Sequence, residues 1–171
     1  MGKVIFLVLS SLGIIASAHA QIALDAATCV ATNGDIAIKI HSAVVTHKLK
    51  MTDVISESSL YTLKEQVLIV TVGIINLNES KKYDYSTWRD NALAMDQNTN
   101  VLKRINYGNN YPTEGIKKRA SLYPNKPIKD VLIFERPLAS TTHIAISIPA
   151  KNIEGSGDIF FMIPKSMIKV Q

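Results

Sequence analysis

Hydrophobic and polar residues alternate along several short stretches of this chain. In residues 35–40 every second position is an isoleucine, and residues 143–149 repeat the pattern. A period of two predicts β-strands that turn one face to a core and the other to water. The side chains expected to point inward are Ile36, Ile38, Ile40, Ile144, Ile146 and Ile148.

Other stretches predict strands of different exposure. In residues 128–136 the inward set is Ile128, Leu132 and Phe134, again with a period close to two. Residues 67–75 and 159–163 are apolar on both faces, which is typical of central strands in a packed sheet. We therefore expect residues 67–75 and 159–163 to be central strands. In the alternating stretches, we expect Phe134 and Ile146 to lie in the core.

Turn residues separate the predicted strands. Residues 92–95 and 101–105 flank Asp96-Gln97-Asn98-Thr99-Asn100, whose short polar side chains favour a turn, so this pair predicts a hairpin. Only residues 51–65 have a helical spacing, and their serine-rich middle makes that helix weak. About seven short strands with little helix predict an all-β fold, an immunoglobulin-like two-sheet antiparallel β-sandwich.

The order of these segments resembles a known family. A long strand, VLIVTVGIIN at residues 67–76, precedes the hairpin around Asp96, and DVLIFERP at residues 130–137 precedes IAISIPA and FFMIP. This order is similar to that of bacterial exported immunoglobulin-like domains of unknown function. The resemblance implies the fold and a location outside the cytoplasm, and it supplies no catalytic residue.

The start of the chain is typical of a secretory signal. Lys3 is followed by an apolar run over residues 4–16 and by Ala18-His19-Ala20, which has the form of a cleavage site. The run is short and is interrupted by serines, so cleavage is favoured over a membrane anchor. We therefore predict a signal peptide at residues 1–20, and a single exported domain at residues 21–171 with no membrane span after cleavage.

The single cysteine limits how the domain is held together. One cysteine cannot form a bridge within the chain, so the core must be stable without a disulfide. Cys29 is interpreted as a small buried apolar residue, with an unpaired thiol able to join a partner as the alternative. Its surroundings do not resemble a bacterial lipoprotein box, which disfavours a lipid on Cys29.

The charge balance does not favour nucleic acid as a partner. The net charge is +5, and the basic residues are scattered, with the densest group at Lys117-Lys118-Arg119. Binding to nucleic acid calls for basic residues on one face with aromatic side chains for stacking. A solvated loop explains this group more simply.

Sequence motifs for catalysis, metal and cofactors are missing. The predicted mature chain has three histidines, His41, His47 and His143, and it has no nucleophile motif of the Gly-x-Ser-x-Gly type. We therefore expect that the protein is not an enzyme and that it binds no metal and no cofactor. Alternating Asp96, Asn98 and Asn100 imitate the opening of a calcium loop, but Val101 and Tyr107 replace its glycine and glutamate. A hairpin turn is the preferred interpretation.

Aromatic residues in polar segments are the candidate binding site. Tyr83, Tyr85 and Trp88 follow the long apolar strand, and aromatic side chains with polar tips on loops can form a recognition surface. The alternative is that Trp88 and some tyrosines close the ends of the sandwich. We predict a non-catalytic periplasmic or secreted bacterial binding domain with a protein partner in the cell envelope, for example in a secretion assembly. A small hydrolase or metal-dependent enzyme on a sandwich is the second hypothesis.

Overall fold

The computed structural model describes residues 29–52, 58–107 and 113–171, and the account below concerns these residues. Eleven strands dominate them, whereas the sequence predicted about seven. The strands are β1 (Val30–Asn33), β2 (Ile36–Thr52), β3 (Ser58–Asn76), β4 (Tyr83–Ser86), β5 (Leu93–Asp96), β6 (Val101–Leu102), β7 (Arg119–Leu122), β8 (Ile128–Glu135), β9 (His143–Pro149), β10 (Asp158–Pro164) and β11 (Ile168–Val170). The helices in this part are two 3₁₀ turns, Ala150–Ile153 and Lys165–Met167. An all-β immunoglobulin-like sandwich with little helix is confirmed.

The strands form two main sheets and one small one. A five-stranded sheet has the order β1-β2-β3-β8, with β11 added to β2, and a four-stranded sheet has the order β10-β9-β5-β6. Strands β4 and β7 make a separate two-stranded sheet. All pairings are antiparallel except that between β11 and β2, which is parallel. The predicted hairpin is confirmed, because Met95 of β5 pairs with Val101 of β6.

The main core lies between the two large sheets. The alternating isoleucines of β2 and β9 all point into it and are essentially inaccessible to solvent. Phe134 of β8 and Ile146 of β9 belong to the same buried cluster, as predicted. Each such side chain contributes about 1.5–3 kcal/mol on burial, so these inward positions supply much of the drive to fold.

Strand β8 is buried on both faces, which its period-two pattern did not predict. Leu132 and Phe134 enter the main core, whereas Val131 and Ile133 join a second cluster on the other side of the five-stranded sheet. The side chains of Ile105, Tyr107 and Ile116 pack against this second cluster and cover this end of the sheet. Ile128, predicted to point inward, is only half-buried at the end of the strand.

Strand β10 is an edge strand, and the prediction of a central position for residues 159–163 is wrong. Ile159, Phe161 and Ile163 are buried, but Phe160 and Met162 between them are 47% and 40% exposed. The prediction failed because a sequence that is apolar at every position occurs both in central strands and in edge strands with an apolar outer face. Residues 67–75 in β3, by contrast, do lie centrally, between β2 and β8.

Strands β2 and β3 form a long two-stranded ribbon that extends past the sandwich. Their pairing runs from Ile36 with Asn76 to Thr52 with Ser58, with register shifts at residues 40–42 and 46–48. The described residues within 51–65 are therefore extended, and the helical interpretation of this stretch is wrong there. Pairing across the ribbon satisfies the backbone hydrogen-bonding groups of both strands. A short serine-rich helix would be only weakly stable by comparison.

The predicted signal peptide, residues 1–20, lies outside the described residues, as does the start of the predicted mature domain. Within the described ranges no helix is long and apolar enough to cross a membrane.

Candidate functional site

The predicted aromatic surface is largely buried. Trp88 is completely inaccessible and Tyr85 is 2% exposed, so the interpretation of these two residues as exposed binding anchors is wrong. The Trp88 indole N–H donates to the carbonyl oxygen of Pro149 at 2.9 Å, and the Tyr85 ring meets the indole edge-on at 5.0 Å. The alternative, closure of the sandwich end, is confirmed for both rings.

Tyr83 is half-buried and is also held by structural contacts. Its hydroxyl donates to Asp35 Oδ2 at 2.5 Å, and Lys81 Nζ lies 4.0 Å from the centre of its ring. The hydrogen bonds from Tyr83 and Asn78 lower the pKa of Asp35, and the contact with Asp35 raises the pKa of Tyr83. Tyr83 thus fastens β4 to the turn between β1 and β2.

A buried carboxylate beneath the aromatic pair was missed from the sequence. Asp130 of β8 is fully buried, and its Oδ2 accepts hydrogen bonds from the hydroxyls of Tyr85 and Thr87. Its Oδ1 accepts from the backbone N–H groups of Lys117 and Val131 at 2.9 and 2.8 Å. Burial raises the pKa of Asp130 above its usual value, although these donors oppose that shift. The contacts from Tyr85, Thr87 and Lys117 join separate segments to β8.

The segment after β4 is fastened by two further side chains. A guanidinium nitrogen of Arg104 donates to the carbonyl oxygens of Trp88 and Ala92, at 2.8 and 3.2 Å. The side-chain amide of Asn152 donates to the carbonyl oxygen of Thr87 at 2.8 Å. The polar composition of this segment suggested an exposed loop, but these bonds to its backbone carbonyl oxygens hold it against the sandwich.

The turn between β5 and β6 uses its carboxylate for its own support. Asp96 Oδ1 accepts from the backbone N–H groups of Asn98 and Asn100, and Oδ2 accepts from the side-chain amide of Asn100, at 2.8 to 2.9 Å. These bonds lower the pKa of Asp96. They favour the hairpin-turn interpretation over the calcium loop, because they occupy the oxygens that would bind the ion.

The histidines are not gathered in one site. Nδ1 of His143 lies 3.2 Å from the hydroxyl of Thr142, and His41 lies on the solvent side of the five-stranded sheet. No hydrogen bond among the described residues joins a histidine to a carboxylate. In the same residues no cluster of three histidine, cysteine or acidic side chains could hold a metal ion.

The outer side of the four-stranded sheet carries a continuous group of apolar side chains. We define the apolar sheet face as Leu93, Met95, Val101, Phe160 and Met162. Val101 is 58% exposed and Leu93 is 40% exposed, whereas the residues that alternate with them point into the core. Such exposure of large apolar side chains on a regular sheet is the main feature that the sequence prediction missed.

The strand register brings these side chains into two rows. One row runs from Met162 through Ala145 and Met95 to Val101, across all four strands. The other row places Phe160 and Leu93 on either side of Ser147. Because directly opposite Cβ atoms are about 5 Å apart, each row is a continuous contact surface.

Cys29 lies at the outer edge of the same sheet. The residue is fully buried, as predicted, and its thiol donates to the carbonyl oxygen of Met162 at 3.1 Å. This contact occupies one of the backbone groups that β10 turns away from β9.

Comparisons with known proteins establish the fold class alone. The yjhA protein of Bacillus subtilis has a TM-score of 0.51 and 13% identity over 83% of this chain and 96% of its own. The ycdA protein of the same bacterium, a putative lipoprotein, has a TM-score of 0.51 and 12% identity over 81% of this chain. This chain spans 40% of the ycdA structure. The structural neighbours are bacterial β-sandwich proteins, and neither family models nor curated sequences match the chain.

Proposed function

We propose that this chain is an exported, non-catalytic binding domain of the bacterial cell envelope that docks onto a protein partner through the apolar sheet face. The observation that carries this proposal is the apolar row from Met162 to Val101 on the outer side of the four-stranded sheet, with Phe160 and Leu93 beside it. Monomeric proteins rarely expose large continuous apolar patches, and such patches are typical of interaction sites. A subunit of an envelope or secretion assembly is one setting for such a domain.

The chemistry of the side chains around the face fits docking to a protein. Phe160 and Met162 are residue types enriched in protein interfaces, and both lie on the edge strand β10. A partner could therefore cover these side chains and contact the outermost strand of the sheet. The signal-like residues 1–20 support export, to the periplasm or beyond, and so does the description of ycdA as a putative lipoprotein.

The absence of catalysis is part of the proposal and has its own support. The carboxylate with the most unusual surroundings, Asp130, is enclosed and accepts four hydrogen bonds, so a substrate has no access to it. The Asp96 oxygens are likewise engaged by their own turn. These groups stabilise the fold instead of facing a cleft.

The test compares a variant of the face with a matched variant elsewhere. Phe160→Lys/Met162→Lys places charges on the apolar face, and Leu138→Lys makes the same kind of change in the loop between β8 and β9, where Leu138 is 65% exposed. Immobilised wild type and both variants are incubated with native envelope extract, and thermal melting confirms that each is folded. We expect a specific partner to be retained by wild type and Leu138→Lys and lost by the double variant.

Two results would contradict the proposal. One is retention of the same proteins by all three samples, because the face would then have no part in binding. The other is a homodimer, detected by light scattering, that the double variant dissociates, because a second copy would then cover the face.

A further inference from the structure

Three basic side chains surround a glycine on the solvent side of the five-stranded sheet. Lys39 of β2 pairs with Gly73 of β3, and Gly73 pairs on its other side with Lys129 of β8. Two interstrand spacings place the lysine Cα atoms about 10 Å apart. His41 lies on β2 at the register shift, and its imidazole covers Gly73.

Gly73 gives the imidazole room to lie against the strand. A Cβ atom at residue 73 would come within 2.1 Å of His41 Nε2 and within 2.5 Å of Cδ2. The glycine therefore provides space, and the ring rests against the backbone between the two lysine strands. The imidazole therefore lies at the centre of a basic group.

An apolar depression adjoins the basic group. It has a volume of about 260 Å³, and its lining includes Val30, Ala37, Ile75 and Pro127. Ala37 and Ile75 are paired across β2 and β3, in the row two residues away from Lys39 and Gly73. The apolar floor and the cations thus lie side by side on one surface.

The lysines of this group, Lys39 and Lys129, belong to none of the ion pairs in the part of the chain that the structure describes. Partial burial lowers the pKa of His41, and Lys129 and Lys39 lower it further, so the charged groups that act on its ring are both positive. A bound anion would offset this repulsion.

We propose that the depression binds an amphipathic carboxylate, with its aliphatic chain on the apolar floor and its carboxylate between Lys39 and Lys129. The His41 ring can donate a third hydrogen bond to the same group. Charge complementarity selects the anionic head, and the apolar lining selects an aliphatic chain. This site lies on the opposite sheet from the apolar sheet face and does not depend on the proposed docking function.

The probe is decanoate. Acetate represents its carboxylate without the long chain, and decanol represents its aliphatic chain without the charge. Binding is measured by calorimetry and by chemical-shift changes in the purified protein. We expect decanoate to bind at least about tenfold more tightly than either fragment. Lys39→Gln and Lys129→Gln should each weaken binding about two- to fivefold, as expected for exposed charge pairs. Lys151→Gln, outside the depression, is the matched control and should change nothing.

The His41 ring provides a second, independent measurement. A carboxylate between the two lysines favours the protonated imidazole, so decanoate should raise the pKa of His41 in an NMR titration, and decanol should not. The proposal is overturned if decanoate does not bind, if decanol binds equally well, or if the Lys39→Gln/Lys129→Gln double variant keeps wild-type affinity. Equal losses in Lys151→Gln would also overturn it.

Discussion

The phenol of Tyr85 donates a hydrogen bond to the carboxylate of Asp130, and both groups are withdrawn from solvent. Tyr85 belongs to the small sheet formed by β4 and β7, whereas Asp130 lies on β8 at the edge of the five-stranded sheet. The bond therefore joins two sheets. Buried polar groups almost always have partners, and here each group satisfies the other.

Removing the phenol should destabilise the fold. Tyr85→Phe leaves the buried Asp130 carboxylate with one donor fewer, which typically costs about 1–3 kcal/mol. Urea unfolding measures the loss. Tyr123→Phe is the control, because Tyr123 is 52% exposed, and its free energy of unfolding should stay within about 0.5 kcal/mol of wild type. Equal effects of the two changes would mean that the buried bond contributes no stability.

The stability contributed by Asp130 should depend on pH. Burial raises its pKa in the folded protein, so folding favours the protonated carboxyl. This contribution is complete below the unfolded pKa and is lost as the pH rises through the folded pKa.

Asp130→Asn removes this titration and keeps an oxygen for the two backbone N–H groups. Its amide can also donate to the hydroxyl oxygens of Tyr85 and Thr87. We therefore expect the free energy of unfolding of the variant to increase relative to that of wild type as the pH rises above the unfolded pKa of about 4, as measured in urea series at several pH values. A difference that is constant over this range would refute the raised pKa.

Truncating Trp88 should affect stability before it affects any binding. Trp88→Ala removes a buried ring and its hydrogen bond to Pro149, and a change of this kind costs about 3–5 kcal/mol. Thermal melting tests this, with Tyr123→Ala as an exposed aromatic control. A Trp88→Ala protein that melts like wild type would restore the interpretation of Trp88 as a surface residue.

Two phenylalanines allow the same substitution to be compared in the core and on the outer surface of a sheet. Phe134 is completely buried and Phe160 is 47% exposed. Phe134→Ala should lower the free energy of unfolding by about 3–5 kcal/mol, and Ile146→Ala by about 2–5 kcal/mol. Phe160→Ala should cost much less, because its ring already contacts water. If all three variants unfold at the same denaturant concentration, the assignment of inner and outer faces is incorrect.

The all-β class and several strand phases could be predicted because they depend on local pattern. In β2 and β9 only one face is apolar, so alternation alone identifies the inward residues. The hairpin at Asp96 is also local, since the aspartate binds backbone groups only two and four residues away. Such features need no knowledge of what packs against them.

The features that were missed depend on residues far apart in sequence. Strand β10 has the composition of a central strand, and only its place at the edge of the sheet order leaves Phe160 and Met162 in water. Tyr85 and Trp88 lie in a polar stretch, but hydrogen bonds from Arg104 and Asn152 hold that stretch against the core. The group around Gly73 requires the register of three strands, which no local pattern reveals.

Strand β2 has one outer neighbour close in sequence, β1, and one from a distant part of the chain, β11. The early strand β1 covers residues 36–39, and β11 covers residues 43–45, so that Ile168 lies beside Ala43. Contacts between residues so distant in sequence form slowly, because a long loop must close first. Without β11, residues 43–45 of β2 would present an unpaired, hydrophobic strand edge to other molecules. Docking of this strand therefore protects β2 from aggregation through that edge.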